Sequence, residues 1–302
     1  MTKILDLLIA GGGAAGLTSA VYASRSGLDY VLVDVASSMG SQITQTEDVD
    51  NYTGFSKVNG MDLVMKFYEH AKALDAPMVN DEVKLITKQD DIFTVKCSKN
   101  EYKAKTVILC SGATHRELGV KGEKEFLGKG VGYCAVCDGF FYRNKTAVVV
   151  GGGNTAVTDA LYLSKICKKV ILVHRRDNLS AENILVNRLK QAENVEFVFN
   201  AEISEIIGEK LVNSVKLKDG RVLETDGVFI AVGIVPRSNA VKDLAKLDKG
   251  GYVVADESGA TSVNGLFVAG DVRTKNLRQI ITACSDGANA VDSVNKYLDE
   301  TD

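Results

Sequence analysis

Leu7-Leu8-Ile9-Ala10-Gly11-Gly12-Gly13-Ala14-Ala15-Gly16 reads as a buried strand running into a glycine turn, and Ala147-Val148-Val149-Val150-Gly151-Gly152-Gly153-Asn154-Thr155-Ala156 repeats it near mid-chain. Each copy continues into a helical stretch, to Ser26 in the first and over Val157–Lys165 in the second. A second apolar strand follows, Tyr30–Val33 or Val170–Val173. Strand, glycine turn, helix and strand in this order form a dinucleotide-binding unit. One glycine permits the tight turn and another lets backbone amides approach a pyrophosphate. The third position, Gly16 or Ala156, lets the helix pack close to its strand. The helix N-terminus then offers unpaired N–H groups and the positive end of its dipole to phosphates. Two such units at matching offsets predict an α/β protein with two Rossmann-like domains and two nucleotide sites.

The copies differ where the second strand ends. Asp34 closes the first, and a carboxylate there accepts hydrogen bonds from ribose hydroxyls while disfavouring an added phosphate, which suits FAD or NAD. His174-Arg175-Arg176 closes the second, and guanidinium forks suit bidentate contact with a 2′-phosphate, which suits NADPH.

Between the units the pattern predicts a helix over Gly60–Leu74 and strands at Glu82–Ile86, Ile92–Cys97 and Thr106–Cys110. After the second unit it predicts strands at Val195–Phe199, Val212–Lys218 and Gly227–Val232. Gly265–Asp271 then reads as a buried strand followed by a helix from about Arg278 to Tyr297, resembling the close of the first domain. The NADPH domain is therefore expected as an insertion into the FAD domain. The expected division is 1–113 and 241–302 for FAD and 114–240 for NADPH. The insert carries both a nucleotide turn and a cysteine pair, so it is expected to rotate on its linkers, Gly112–Thr114 and Val235–Ala240.

The 302 residues, 45% hydrophobic and 25% charged with 28 glycines, have the makeup of a soluble α/β protein of two domains. A formal net charge of -3 gives no electrostatic case for nucleic acid or an anionic membrane. No window approaches the roughly 20 apolar residues of a membrane span. Asp6 interrupts the apolar run at Ile4–Ala10, which argues against a secretory leader.

Six cysteines stand at 97, 110, 134, 137, 167 and 284, and a single closely spaced pair favours a reducing compartment, the cytoplasm. Cys97, Cys110, Cys167 and Cys284 read as buried small apolar residues. Cys134 and Cys137, two residues apart, suit a small-loop disulfide with reversible redox chemistry. Half of a zinc site is the competing reading, and scattered single cysteines with three histidines leave no second close pair to complete it, so no metal is expected. A disulfide takes two electrons and hydride delivers two with a proton; a flavin joins those chemistries. Asp138, next to the pair, is a candidate proton donor as well as a helix-capping residue.

Cys134-Ala135-Val136-Cys137-Asp138-Gly139-Phe140-Phe141-Tyr142-Arg143, with Gly151–Val157 and His174-Arg175-Arg176-Asp177, resembles the bacterial low-molecular-weight thioredoxin reductases. The resemblance spans the whole chain and includes the N-terminal glycine turn, Gln42, Asp50-Asn51-Tyr52, Gly270-Asp271-Val272 and Arg278-Gln279. It implies a homodimer with one FAD per subunit that uses NADPH to reduce thioredoxin or a similar protein disulfide. It assigns Gly11, Gly13, Gly16, Gln42, Asn51, Asp271, Arg278, Gln279 and Ile280 to the flavin. Gly153, Asn154, Thr155, Ala156, His174, Arg175 and Arg176 fall to NADPH, and Asp138 to proton donation.

Three positions depart from the family pattern. Ser180 stands where a third arginine is common, Gly40-Ser41-Gln42 replaces Gly-Gly-Gln, and Asp34 is an acid that some members lack. Ser180 leaves open weakened NADPH binding, tolerance of NADH, or a ferredoxin-driven flavin reductase. A flavin dithiol oxidase and a non-catalytic redox sensor are the other readings, and the intact second glycine turn weighs against both electron-transfer alternatives.

Overall fold

A computed structural model describes residues 3–35, 42–45 and 49–301, so Gly40 and Ser41 lie outside the described residues. The chain divides into two compact units, Met1–Thr114 with Val235–Asp302, and His115–Ile234.

In the first unit, Ile4–Ala10 (β1), Tyr30–Asp34 (β2), Met78–Asn80 (β3), Val83–Gln89 (β4), Ile92–Cys97 (β5) and Glu101–Leu109 (β6) make a sheet ordered β3-β2-β1-β6-β5-β4. The strands β3, β2, β1 and β6 run parallel, while β4, β5 and β6 form an antiparallel meander. Parallel strands buried on both faces must be apolar throughout, and β1 is: Leu7 and Ile9 enter one core cluster, Leu8 and Ala10 the other. Helix Ala14–Ser26 (α1) stops at Gly27, whose φ of 72° is the left-handed C-terminal cap that glycine adopts without strain. Helix Gly60–Ala73 (α2) begins where the Asn59 side chain accepts the Met61 N–H at 2.9 Å.

The chain leaves this unit along Ala113–His115 (β7). The second unit contains Val131–Gly132 (β8), the single turn Ala135–Asp138 (α3), Thr146–Val150 (β9), Asn154–Ser164 (α4), Lys169–Val173 (β10), Asn183–Lys190 (α5) and Val195–Val198 (β11). Ile203–Gly208 (β12), Val212–Leu217 (β13), Val222–Glu224 (β14) and Gly227–Ile230 (β15) follow. A parallel sheet runs β11-β10-β9-β15-β8, and β12-β13-β14 is a separate antiparallel sheet.

The chain returns along Ile234–Pro236 (β16), which pairs with β7. Leu266–Val268 (β17) then adds in parallel to β6, and Ile280–Thr301 (α3 being the short turn and α5 the preceding helix) is α6. The return falls earlier than the expected boundary after Ala240. Ala240 and Val241, in the turn Asn239–Val241, are buried in the apolar cluster that holds Leu8 and Val107, so they belong to the first unit. The strand expected over Gly265–Asp271 is shortened to β17 because Gly265 and Gly270 have φ of 79° and 80°. Arg278 and Gln279 likewise precede α6 rather than opening it.

Candidate active site

The first glycine turn joins β1 to α1. Gly11, at φ 113°, donates its N–H to Val33 at 2.8 Å, and a side chain on Gly16 would run into the Gly11 carbonyl. Gly13 caps α1 without a side-chain hydrogen bond, and a Cβ there would meet nothing within 4 Å. Gly16 is thus a packing glycine, and Gly13 faces open space at a helix N-terminus. The Asp34 carboxylate lies against Gly12, whose added Cβ would sit 2.9 Å from Oδ2.

Other expected flavin residues of this unit converge in pairs. Asn51 Nδ2 donates to Gln279 Oε1 at 3.1 Å, and Gln42 donates to the Ala113 carbonyl. The Arg278 guanidinium stacks 4.1 Å from the Tyr252 ring centre and donates to the Asp271 and Arg273 carbonyls at 3.5 and 3.3 Å. Asp271 Oδ1 is buried with no hydrogen-bond partner, and burial pushes its carboxyl above the ordinary range. Such an atom needs a donor. Ile280 is the first residue of α6.

The second turn repeats the plan between β9 and α4. Gly151, at φ 149°, donates to Val173 at 3.1 Å, and an added Cβ would lie 2.8 Å from that of Ala156. Gly153 caps α4 with no side-chain bond and nothing within 4 Å of a Cβ. His174 packs its imidazole against Gly152; burial, then Arg176 and Arg175, hold it below its ordinary pKa, and Nε2 is buried without a partner. Thr155, Arg175 and Arg176 are exposed, while Ala156 is buried.

Ser180, the position that departs from the family pattern, donates both its N–H and its hydroxyl to the Gly152 carbonyl, at 2.7 and 3.1 Å. It supplies no charge but ties down the turn. Asn154 and Glu182 clasp each other, Nδ2 to Oε1 at 2.9 Å and the Glu182 N–H to Oδ1 at 2.8 Å. The sequence reading missed Glu182, because a single acid beyond a strand end carries no periodic signal.

Cys134 and Cys137 are bonded as a disulfide, with Cα atoms 5.3 Å apart, directly after edge strand β8. Cys134 Sγ accepts the Cys137 N–H at 3.2 Å. The Asp138 carboxylate turns back against Gly132, where an added Cβ would lie 2.9 Å from Oδ2. Burial, and next the Asp138 charge, push Tyr142 up to about 12. Val136, Phe140 and Phe141 stand exposed beside the pair, and Arg143 lies over the Phe140 ring at 5.4 Å.

Glu123 was also missed. It is 1% exposed and accepts the N–H groups of Leu118 and Gly119 at 2.9 and 2.7 Å and the Tyr133 hydroxyl at 2.8 Å, anchoring the residue before Cys134.

The other four cysteines are unpaired thiols. Burial pushes Cys97 and Cys167 up to about 11 and Cys110 up to about 12, and raises Cys284, so none is a ready nucleophile. Among the described residues no group of three or more His, Cys, Asp or Glu side chains is placed to hold a metal ion.

The sequence profile of the pyridine nucleotide-disulphide oxidoreductases matches residues 5–287. The chain belongs to that family. Among similar members, the thioredoxin reductase of Listeria innocua is 44% identical over 304 residues, 99% of this chain and 95% of that protein. That of Bacillus subtilis is 42% identical over 99% of this chain and 96% of its own. The solved thioredoxin reductase of Streptococcus pyogenes has 41% identity and a TM-score of 0.93, covering 99% of this chain and 100% of that one.

One acid in this pyridine nucleotide-disulphide oxidoreductase gives a pH test. Asp159 on α4 is 7% exposed, and burial pushes it up to about 7 from 3.8. The folded chain then keeps a proton between about pH 4 and 7 that the unfolded chain has lost, so stability falls as pH rises through that window. Asp159→Asn should gain on the order of 1–3 kcal/mol at pH 8 and nothing at pH 4. Thermal melts at the two pH values check this; equal shifts at both would contradict it.

Proposed function

We propose that this chain is an NADPH-dependent thioredoxin-disulfide reductase, with FAD at the first glycine turn and NADPH at the second. The observation that carries the reading is the Cys134–Cys137 disulfide, set in the same unit as the glycine turn that ends in His174-Arg175-Arg176. The residues fit both groups. Each turn has a glycine facing open space at an uncapped helix N-terminus, Asp34 suits ribose hydroxyls, and the orphaned Asp271 Oδ1 suits a hydroxyl donor. Gly11, Gly13, Gly16, Asp34, Gln42, Asn51, Asp271, Arg278, Gln279 and Ile280 hold FAD. Gly153, Asn154, Thr155, Ala156, His174, Arg175 and Arg176 hold NADPH. A bound flavin supplies the exchange between hydride chemistry and thiol chemistry.

The chain's own residues then do the rest. Reduction of the disulfide consumes two electrons and two protons, which NADPH and one solvent proton supply, leaving NADP⁺ and two thiols. The Cys137 N–H stabilises a thiolate at Cys134, and Asp138 holds the proton that the departing sulfur needs. The reduced pair passes its electrons to a disulfide of thioredoxin or a thioredoxin-like protein, and the exposed Phe140 and Phe141 give that partner an apolar seat. The chain acts as a homodimer, as its resemblance to the bacterial low-molecular-weight thioredoxin reductases implies, and in the cytoplasm, in keeping with its single closely spaced cysteine pair.

Asp138→Asn should slow disulfide turnover by about 10²-fold or more at low pH, with the loss shrinking as pH rises and the parent's own carboxyl gives up its proton, while flavin stays bound. A pH–rate profile parallel to the parent's would contradict the proton role. Arg175→Ala with Arg176→Ala should raise KM for NADPH by about 10²-fold and leave that for NADH unchanged. Equal changes for both nucleotides would refute the 2′-phosphate site. The function itself is tested by adding oxidised thioredoxin to enzyme and NADPH: one NADPH should be consumed per disulfide reduced. Consumption that waits on ferredoxin, or that takes up oxygen in proportion, would favour the flavin alternatives instead.

A further inference from the structure

A buried ionic cluster holds the segment between β17 and α6, and the proposed chemistry does not use it. Asp286, on α6 and 4% exposed, accepts the Gly270 N–H at 2.8 Å, Arg273 Nη2 at 2.8 Å and Lys275 Nζ at 2.7 Å. The side chains of Arg273 and Lys275 are themselves 2% and 4% exposed. Burying three charges costs several kcal/mol of desolvation per ion on the usual scale, and an apolar plug of equal volume is often as stable. The cluster therefore calls for a use beyond packing.

Its position supplies one. Gly270, Arg273 and Lys275 flank Asp271, whose Oδ1 is buried without a partner. Asp286 bonds to a residue on each side of Asp271, so it fixes the backbone on which that acid stands. We infer that Asp286 is a positioning residue for the flavin: by gripping Gly270, Arg273 and Lys275 it holds Asp271 in place for a hydroxyl donor of FAD. This rests on the reading of Asp271 as a flavin residue. The electrostatics agree with the geometry. Burial works against the Asp286 charge, but its bonds to Arg273 and Lys275 outweigh that and hold it below its ordinary value, whereas burial leaves Asp271 above its own.

The test is the affinity of flavin-stripped, full-length protein for FAD, followed by quenching of flavin fluorescence, with melting temperature recorded beside it. Asp271→Asn and Asp286→Asn should each weaken FAD binding by about tenfold. In the Asp271→Asn background, Asp286→Asn should add less than about twofold, because the two act through one contact. Lys275→Met, which removes a single partner of Asp286, should weaken binding to a smaller extent and decides the matter if Asp286→Asn does not fold. Unchanged affinity in Asp286→Asn and Lys275→Met beside a weakened Asp271→Asn overturns the positioning role alone, as do fully additive losses. Unchanged affinity in Asp271→Asn overturns the assignment of Asp271 itself.

Discussion

Cys134→Ser and Cys137→Ser should each abolish NADPH-dependent reduction of thioredoxin, a loss of more than about 10³-fold in kcat, with FAD still bound. Both sulfurs are required, because one attacks the partner and the other must resolve the mixed disulfide that forms. Serine cannot replace either, since its hydroxyl does not ionise near neutral pH. The remaining thiols do not rescue the reaction: Cys97, Cys110 and Cys167 are pushed to about 11 or 12 by burial. Steady-state assays with thioredoxin decide the point, and retained turnover in either variant would show that electrons take another route.

The second large effect separates two glycines of one motif. Gly16→Val should prevent both flavin binding and stable folding of the first unit, because its side chain would occupy the space of the Gly11 carbonyl and force α1 off β1. Overpacking of this kind costs about 1–3 kcal/mol even where side chains can yield, and backbone yields less. Gly13→Val should behave differently. A Cβ there meets nothing within 4 Å and the residue has φ of -75°, so the flavin-free protein should melt as the parent does. Its FAD affinity should nevertheless fall by about 10²-fold or more, because the side chain fills the space the pyrophosphate needs. Melting curves and FAD titrations of the two variants read this out. A Gly13→Val protein that binds FAD like the parent would remove the first turn from the flavin site.

The parts of the molecule legible in sequence are those set by local patterns. The two glycine turns, β1, β2, β9 and β10 follow from runs of apolar residues closed by glycine, and the pair at 134 and 137 follows from spacing alone. What could not be read depends on tertiary partners. Asp286, Arg273 and Lys275 look like ordinary surface charges in a polar stretch, and only the fold buries them together. Glu123 shares that history: its partners are backbone N–H groups and one phenol, none of which has a sequence signature. Ser180 was legible as a missing arginine but not as a double donor to the Gly152 carbonyl. The end of the inserted unit was misplaced for a related reason, since Ala240 and Val241 owe their allegiance to a cluster built by distant strands.

An anaerobic titration of the flavin-loaded protein with NADPH, followed by alkylation and mass mapping of the new thiols, tests the electron route most directly. Two equivalents of NADPH should be taken up per chain, bleaching the flavin and labelling Cys134 and Cys137 while the other four cysteines stay as they were. Uptake of a single equivalent with the Cys134–Cys137 bond still closed, or a flavin that NADPH leaves oxidised, would contradict the account.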